Sequence, residues 1–240
     1  MKKETILILH GWGLSGSRFD GLVSVLKKKG YSVYAPDLPG FGGSTPPIHP
    51  YHLSDYAQFV SDFIRSNGIK NPIFIGHSFG GRVTLRYLEK NPSGAKAIIL
   101  TGTPGFTPVA RRKLILFTIG AKIGKFIFSI WPLSAIQEKI RAWYYYLVGA
   151  RDFYRANGVM REIFKIVVKE DLIVAMQSVS VPCALIWGSL DQITPVWIAK
   201  KMKEYIAGAT LTVLDDADHG VSYKQPDRFA SEVDAFLKTV

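Results

Sequence analysis

The sequence predicts an α/β fold, with a doubly wound and mostly parallel sheet of about six strands and a helical lid inserted after the fourth strand. Short apolar runs alternate with amphipathic helical segments up to Thr103 and again after Ser180. Between those residues only helical periodicity is visible, which indicates the insertion. The chain has 240 residues, nearly half of them apolar, which is enough for one domain with a sizeable core.

The elements follow in chain order from apolar runs bounded by turn residues and from apolar residues that recur every three or four positions. Strands are predicted at Thr5–Leu9, Tyr31–Ala35, Ile73–Ile75, Ala97–Leu100, Cys183–Trp187 and Thr210–Leu214. Helices are predicted at Ser17–Lys29, Leu53–Ser66, Gly81–Glu89, Pro195–Tyr205 and Gln225–Leu237. We therefore divide the chain into a core, residues 1–103 and 181–240, and a lid, residues 104–180.

The lid contains the most apolar stretch of the chain, Leu114–Trp131. Its Leu, Ile and Phe residues favour membrane insertion by about 3–6 kcal/mol, but its two central lysines cost about 5–7 kcal/mol. Pro132 then ends the run. We therefore predict a protein that is not transmembrane.

The net charge of the chain is +11. The lid accounts for +7 of it, because it holds twelve basic residues, Arg111, Arg112, Lys113, Lys122, Lys125, Lys139, Arg141, Arg151, Arg155, Arg161, Lys165 and Lys169, against five acidic ones. The favoured explanation is the solvated faces of amphipathic helices. The alternative is a docking surface for an acidic carrier protein or an anionic surface. No nucleic-acid recognition motif accompanies the charge, so no nucleic acid is predicted.

A serine framed by glycines lies between a predicted strand and a predicted helix, in Gly76-His77-Ser78-Phe79-Gly80. This is the G-x-S-x-G nucleophile elbow, in which a tight turn exposes the serine hydroxyl above the sheet. Side chains at Gly76 and Gly80 would collide across such a turn. The alternative interpretation is a glycine-rich turn with an incidental serine. The strand before and the helix after favour the elbow, with Ser78 as nucleophile.

A serine nucleophile needs a histidine base and a carboxylate that orients the base. We choose His219, which follows the last strand, over His10, His49, His52 and His77. For the acid we choose Asp191, because it follows the fifth strand and gives the chain order Ser, Asp, His that such sheets use. Three other aspartates are too close to His219 along the chain to reach its ring easily: Asp215, Asp216 and Asp218.

Acyl transfer also needs donors for the developing oxyanion. The backbone N–H of Phe79 comes with the elbow. The second predicted donor is the backbone N–H of Trp12, in the loop His10-Gly11-Trp12-Gly13 after the first strand. This chemistry calls for no cofactor and no metal, and none is predicted.

Five motifs in order resemble the α/β-hydrolase superfamily of the serine esterase type: His10–Gly13, Asp37–Ser44, Gly76–Gly81, Trp187–Pro195 and His219-Gly220. The first two are most similar to carboxylesterases of the pimeloyl-acyl carrier protein methyl ester esterase kind. The resemblance implies a carboxylic ester hydrolase that acts on a small-molecule ester through an acyl-enzyme, with short to medium apolar acyl groups preferred. The alternatives are an esterase for a carrier-bound or other anionic ester, a lactonase and a carbon–carbon bond hydrolase.

Two details qualify the resemblance. A serine at the elbow, where the haloalkane dehalogenases and epoxide hydrolases of the superfamily carry aspartate, argues against those activities. The superfamily usually begins with an extra hairpin, whereas only Met1–Glu4 precedes the first strand here, so we expect six strands.

A dinucleotide-binding protein is a remote alternative. Gly11, Gly13 and Gly16 fit G-x-G-x-x-G after a strand, and Asp37 follows near the end of the next strand. That interpretation leaves Ser78, Asp191 and His219 without a role.

The single cysteine, Cys183, lies in an apolar run and rules out an internal disulfide. We expect an inert core residue and a reducing, cytoplasmic location. The apolar run Ile6–Leu9 is too short for a signal peptide.

Overall fold

The computed structural model describes residues 4–106 and 156–240. Within them, six strands form one sheet in the order β2-β1-β3-β4-β5-β6, and every neighbouring pair is parallel. The strands are β1 Thr5–Leu9, β2 Ser32–Tyr34, β3 Ile73–His77, β4 Ala97–Thr101, β5 Cys183–Gly188 and β6 Thr210–Leu214. The predicted doubly wound sheet and its strand number are confirmed.

The described helices are α1 Asp20–Lys28, α2 Leu53–Ser66, α3 Phe79–Lys90, α4 Gly158–Val167, α5 Ile173–Gln177, α6 Val196–Tyr205, α7 Val221–Lys224 and α8 Pro226–Leu237. The segment predicted as a single helix from Ser17 is divided, because Gly16–Phe19 forms a 3₁₀ turn before α1. The short helix α7 was not predicted.

Helices cover both faces of the sheet. Strand residues alternate between the faces, so Leu7 and Phe74 enter one apolar core and Ile6 and Ile73 enter the other. The first core is completed by α2 to α6, and the second by α1, α7 and α8. Because all six strands run in the same direction, the loops that follow them gather along one edge of the sheet.

Between β4 and β5 the described residues contain two helices, α4 and α5, and no strand. Leu114–Trp131, and the basic lid residues from Arg111 to Arg155, lie outside the described residues. None of the described helices has the length and apolar character to cross a membrane. Cys183 is buried in β5, and burial raises the pKa of its thiol to about 12.

Candidate active site

Ser78 occupies the turn between β3 and α3 in a strained backbone conformation, with φ 50° and ψ −111°. A positive φ on a residue with a side chain costs about 1–3 kcal/mol and persists only where the surroundings enforce it. Here the Ser78 N–H donates to the carbonyl of Thr101 at 2.9 Å, and the Ser78 carbonyl accepts the Gly81 N–H at 3.1 Å. The turn therefore has the backbone geometry of a nucleophile elbow.

The glycines of this turn are required for close packing. A Cβ at Gly76 would lie 2.6 Å from Gly81 Cα, which is the predicted collision across the turn. A Cβ at Gly80 would instead lie 2.0 Å from the carbonyl oxygen of Leu9 in β1, so the expectation for Gly80 names the wrong neighbour. Gly81 is also needed, since its Cβ would lie 1.9 Å from Thr103 Oγ1. Helix α3 therefore packs directly on the ends of β1 and β3 and on the segment that follows β4.

Asp191 and His219 are brought together by the loops after β5 and β6. The His219 Nδ1 lies 2.8 Å from Asp191 Oδ2, and the carboxylate is buried. Asp191 Oδ1 accepts the N–H groups of Ile193 at 2.9 Å and of Thr194 at 2.8 Å. These bonds fix the carboxylate, which in turn fixes the tautomer that carries its proton on Nδ1 and leaves Nε2 free to accept one.

Thr194 is a residue that the sequence analysis missed. Its hydroxyl donates to Asp191 Oδ2 at 2.8 Å and lies 3.2 Å from His219 Nδ1. With it, Asp191 accepts four hydrogen bonds, so the buried carboxylate has no unsatisfied oxygen. One sequence signal could have identified Thr194. It is an aspartate followed three residues later by a threonine, directly before the proline that precedes α6.

The ring of His219 lies beside the elbow. It packs against Gly102, where a Cβ would lie 2.7 Å from His219 Cε1. It also packs on the ring of His77, at 4.9 Å between centroids. No hydrogen bond joins the Ser78 hydroxyl to His219 in this structure. Such bonds are often long in free enzymes and tighten when substrate binds.

None of the three competing aspartates forms a hydrogen bond with His219. Asp218 accepts the Gly220 N–H at 2.9 Å and pairs with Lys224. The backbone N–H of Asp216 donates to Ser189 Oγ, and the carbonyl of Asp215 accepts a hydrogen bond from Arg228.

Two of the other histidines lie inside the core. His10 Nδ1 donates to the Gly11 carbonyl at 2.8 Å, and its Nε2 accepts the Leu38 N–H at 2.9 Å, so it holds the loop after β1. His77 is buried among the rings of Phe19, Tyr223 and His219, and its Nδ1 has no partner among the described residues. Burial, with neighbouring His219, holds the pKa of His77 well below its ordinary value. His77 is therefore neutral.

The two predicted oxyanion donors, the backbone N–H groups of Trp12 and Phe79, have no acceptor among the described residues. Phe79 is the first residue of α3, where N–H groups lack partners within the helix and the helix dipole favours negative charge. The rings of these residues pack at 5.3 Å between centroids. The two loops are thus in contact beside Ser78.

A pocket of about 440 Å³ opens next to this contact. It is lined by Trp12, Gly13, Leu14, Gly40, Phe41, Ala156, Asn157 and Met160. The Trp12 ring packs edge-on against Phe41 at 4.9 Å and against Phe164 of α4 at 5.0 Å. Core loops therefore form the floor of the pocket, and α4 with the residues before it forms the roof.

Asp37, which the dinucleotide interpretation would place on a ribose, is used within the loops instead. One of its oxygens accepts the Gly16 N–H at 2.6 Å, and the other accepts the Gly43 N–H at 2.8 Å. No group of three or more metal-ligating side chains is found in residues 4–106 and 156–240.

Comparisons with known proteins bear on the family and the fold. A model of the alpha/beta hydrolase family matches residues 6–232. The AB hydrolase superfamily protein YisY of Bacillus subtilis is 27% identical over 253 residues, covering 96% of this chain and 90% of its own. The bifunctional esterase/perhydrolase DCH of Acinetobacter calcoaceticus is 24% identical over 262 residues, covering 98% and 91%. The solved structure of an esterase from Exiguobacterium antarcticum has a TM-score of 0.75 at 23% identity, covering 99% and 92%, and shows the same fold.

Proposed function

The chain belongs to the alpha/beta hydrolase family, and from that premise we propose that it is a carboxylic ester hydrolase with the triad Ser78, His219 and Asp191. The observation that carries the proposal is the 2.8 Å contact between His219 and a buried, fully bonded Asp191, beside a serine held at positive φ. A strained backbone at the serine and a buried carboxylate that orients a histidine are both typical of functional sites.

In the proposed reaction, Ser78 Oγ attacks the ester carbonyl carbon while His219 Nε2 takes the hydroxyl proton. The carbonyl electron pair moves onto oxygen, where the N–H groups of Trp12 and Phe79 stabilise the negative charge. Collapse of this intermediate breaks the bond to the alcohol, which leaves with the proton from His219. Water then attacks the acyl-enzyme by the same steps and releases the acid. Asp191 holds the imidazolium throughout and does not itself take up the proton.

In the proposed reaction, the acyl group would occupy the pocket beside Trp12. The leaving alcohol has to lie next to His219, because His219 protonates it. None of the residues that surround His219, which include Gly102, Asp191 and Thr194, lines the pocket. With the oxyanion directed at the two N–H groups, the remaining substituent of the tetrahedral carbon points to the pocket, which we call the acyl pocket.

The size and walls of the acyl pocket favour a short to medium apolar acyl chain. Its volume of about 440 Å³ falls in the lower part of the range of small-molecule sites, about 300–1,000 Å³. The aromatic rings of Trp12 and Phe41 and the thioether of Met160 supply apolar contact.

A series of p-nitrophenyl esters from acetate to palmitate tests the proposal. We expect kcat/KM to peak at a short or medium chain and activity to vanish in Ser78→Ala. Equal residual activity in the wild type and in Ser78→Ala would refute it.

The relative from Acinetobacter calcoaceticus carries the name esterase/perhydrolase, which motivates a second assay of the same acyl-enzyme. Hydrogen peroxide in place of water would release a peracid from the same intermediate. Formation of peracid that depends on Ser78 would add this activity to ester hydrolysis.

An acidic carrier protein, or an anionic ester or surface, stays a proposed partner of the basic lid. Positive charge near the site would raise the encounter rate with an acidic substrate mainly at low salt. Replacing Arg111, Arg112 and Lys113 with glutamate should remove the salt dependence for such a substrate, whereas a neutral ester should be unaffected. A cytoplasmic location is proposed only on the single buried thiol, Cys183.

A further inference from the structure

Arg82 is a buried charge whose position relative to Ser78 is fixed by α3. It lies one turn after the serine, and its backbone N–H donates to the Ser78 carbonyl at 3.3 Å. Only 4% of the residue is exposed. Desolvation lowers the pKa of its guanidinium to about 10, so the group is still charged at neutral pH. A charge in such a place needs a structural or functional reason.

The guanidinium of Arg82 is bound by three backbone carbonyls. It donates to the carbonyls of Pro104, Val167 and Glu170, the second at 2.8 Å. Val167 is the last residue of α4, where carbonyls lack donors within the helix and the helix dipole is negative. Arg82 therefore caps the C-terminal end of α4 and links it to the segment after β4.

Glu170 makes a second set of ties at the same place. Its carboxylate accepts the N–H of Leu53, the first residue of α2, at 2.9 Å and pairs with Arg86 of α3 at 3.2 Å. The end of α4 is thus bound to the elbow helix and to the start of α2.

The opposite end of α4 forms the roof of the acyl pocket. Met160 lines the pocket and packs on Gly40, where a Cβ would lie 2.4 Å from the Met160 Sδ. Phe164, one turn later, packs on Trp12. The depth of the pocket therefore depends on where α4 sits above Trp12 and Phe41.

From these contacts we propose that Arg82 is a positioning residue for acyl-chain specificity. It anchors α4 to the helix that carries Ser78, and so it fixes the height of the pocket roof above the reacting ester. The proposal rests on the proposed esterase function. An acetyl group occupies the space next to Ser78, whereas a longer chain has to use the contact with the roof, so loss of the anchor affects the longer chain more.

The test compares p-nitrophenyl octanoate with p-nitrophenyl acetate in Arg82→Met and Arg82→Lys. We expect the octanoate-to-acetate ratio of kcat/KM to fall about tenfold or more in Arg82→Met, chiefly through KM. Arg82→Lys should restore part of the ratio, because an ammonium can still donate to some of the carbonyls. If Arg82→Met does not fold, Arg82→Lys and Glu170→Gln should each lower the ratio by a smaller factor.

A matched control separates positioning from general loss of stability. Val233→Ala removes buried volume from α8 in the core on the other face of the sheet. It should lower Tm and leave the ratio unchanged. An unchanged ratio in folded Arg82→Met or Arg82→Lys, or an equal fall in Val233→Ala, would overturn the proposal.

Hydrogen exchange distinguishes this outcome from failure of the esterase proposal. In Arg82→Met, amides of α4 should exchange at least about tenfold faster, while those of α8 are unaffected. If the wild type hydrolyses no ester, the esterase proposal fails and exchange still reports on the anchor. If α4 retains its protection in Arg82→Met, the anchor itself is refuted.

Discussion

At the scale of single residues, the candidate site depends on how Asp191 is held. The carboxylate accepts four hydrogen bonds, three from its own loop and one from His219. The loop is itself tied to the core, because the buried indole of Trp187 donates to the Thr194 carbonyl at 2.6 Å. The carboxylate is thus a fixed part of the fold.

Replacing Asp191 with asparagine should lower kcat by up to about 10⁴-fold while the fold survives, because the amide stabilises the wrong tautomer of His219. Steady-state kinetics with p-nitrophenyl acetate measures this, and circular dichroism checks the fold. The control is Asp218→Asn, which breaks only the pair with Lys224 and should retain most of the activity. A larger loss in Asp218→Asn than in Asp191→Asn would mean that the acid is misassigned.

Thr194→Val tests the residue that the sequence analysis missed. The variant keeps the shape of the side chain and removes the hydroxyl that donates to Asp191 Oδ2. A hydrogen bond to a charged group contributes about 1.5–3 kcal/mol, so kcat/KM should fall about 10- to 100-fold. Thr194→Ser should retain near-normal activity. Equal activity in Thr194→Val and the wild type would show that Asp191 is held well enough without it.

At the scale of elements, the strand and helix bounds show what can be predicted from sequence. The prediction was closest where local signals set both ends, as in Thr5–Leu9, Leu53–Ser66 and Thr210–Leu214. It was poorest where tertiary contacts set them. The 3₁₀ turn before α1 and the helix α7 are short, and propensity over so few residues is uninformative.

The elbow residues could be identified from sequence because glycines and a serine at fixed spacing leave few alternatives. The contact of His77 with His219 could not, because it joins side chains from the ends of two distant strands. The same holds for Arg82, whose acceptors lie in two separate segments after β4. Periodicity shows which residues are buried, but it does not show which buried residues meet.

A pair of glycine substitutions tests the packing of the elbow helix. Gly81→Ala in α3 should destabilise the protein by about 1–3 kcal/mol, because its Cβ overlaps Thr103. Gly21→Ala in α1 should stabilise it by about 0.5–1 kcal/mol, because its Cβ meets Pro226 at an ordinary 3.4 Å and alanine favours helix. Urea unfolding measures both. The same sign for the two variants would contradict this account of the packing.

At the scale of the whole molecule, two neutral histidines are buried in the core. Burial lowers the pKa of His10 and lowers that of His77 well below its ordinary value of 6.5. Below pH 6.5 the unfolded chain therefore binds protons that the folded chain does not. The sign of the linkage follows, since stability falls as pH falls below about 6.5.

We expect Tm to decrease from pH 7 to pH 5. The free energy of unfolding should fall by up to about 1.4 kcal/mol per pH unit for each of these histidines. His77→Phe keeps a ring against Phe19, Tyr223 and His219 but cannot be protonated, so its stability should depend less on pH. Calorimetry from pH 7.5 to 5 measures the difference, with exposed His49→Phe as control. Parallel curves of stability against pH for His77→Phe and the wild type would show that His77 does not contribute to the pH dependence of stability.

The central claim is that Ser78 is a nucleophile activated by His219 and Asp191. The most direct measurement is the intact mass of the protein after exposure to a fluorophosphonate, which reacts covalently with activated serines. We predict one adduct on the wild type, located at Ser78 by peptide mapping, and none on Ser78→Ala, whose ester hydrolysis should fall by about 10⁴-fold or more. An adduct on a different residue, or a Ser78→Ala variant that still reacts, would contradict the account.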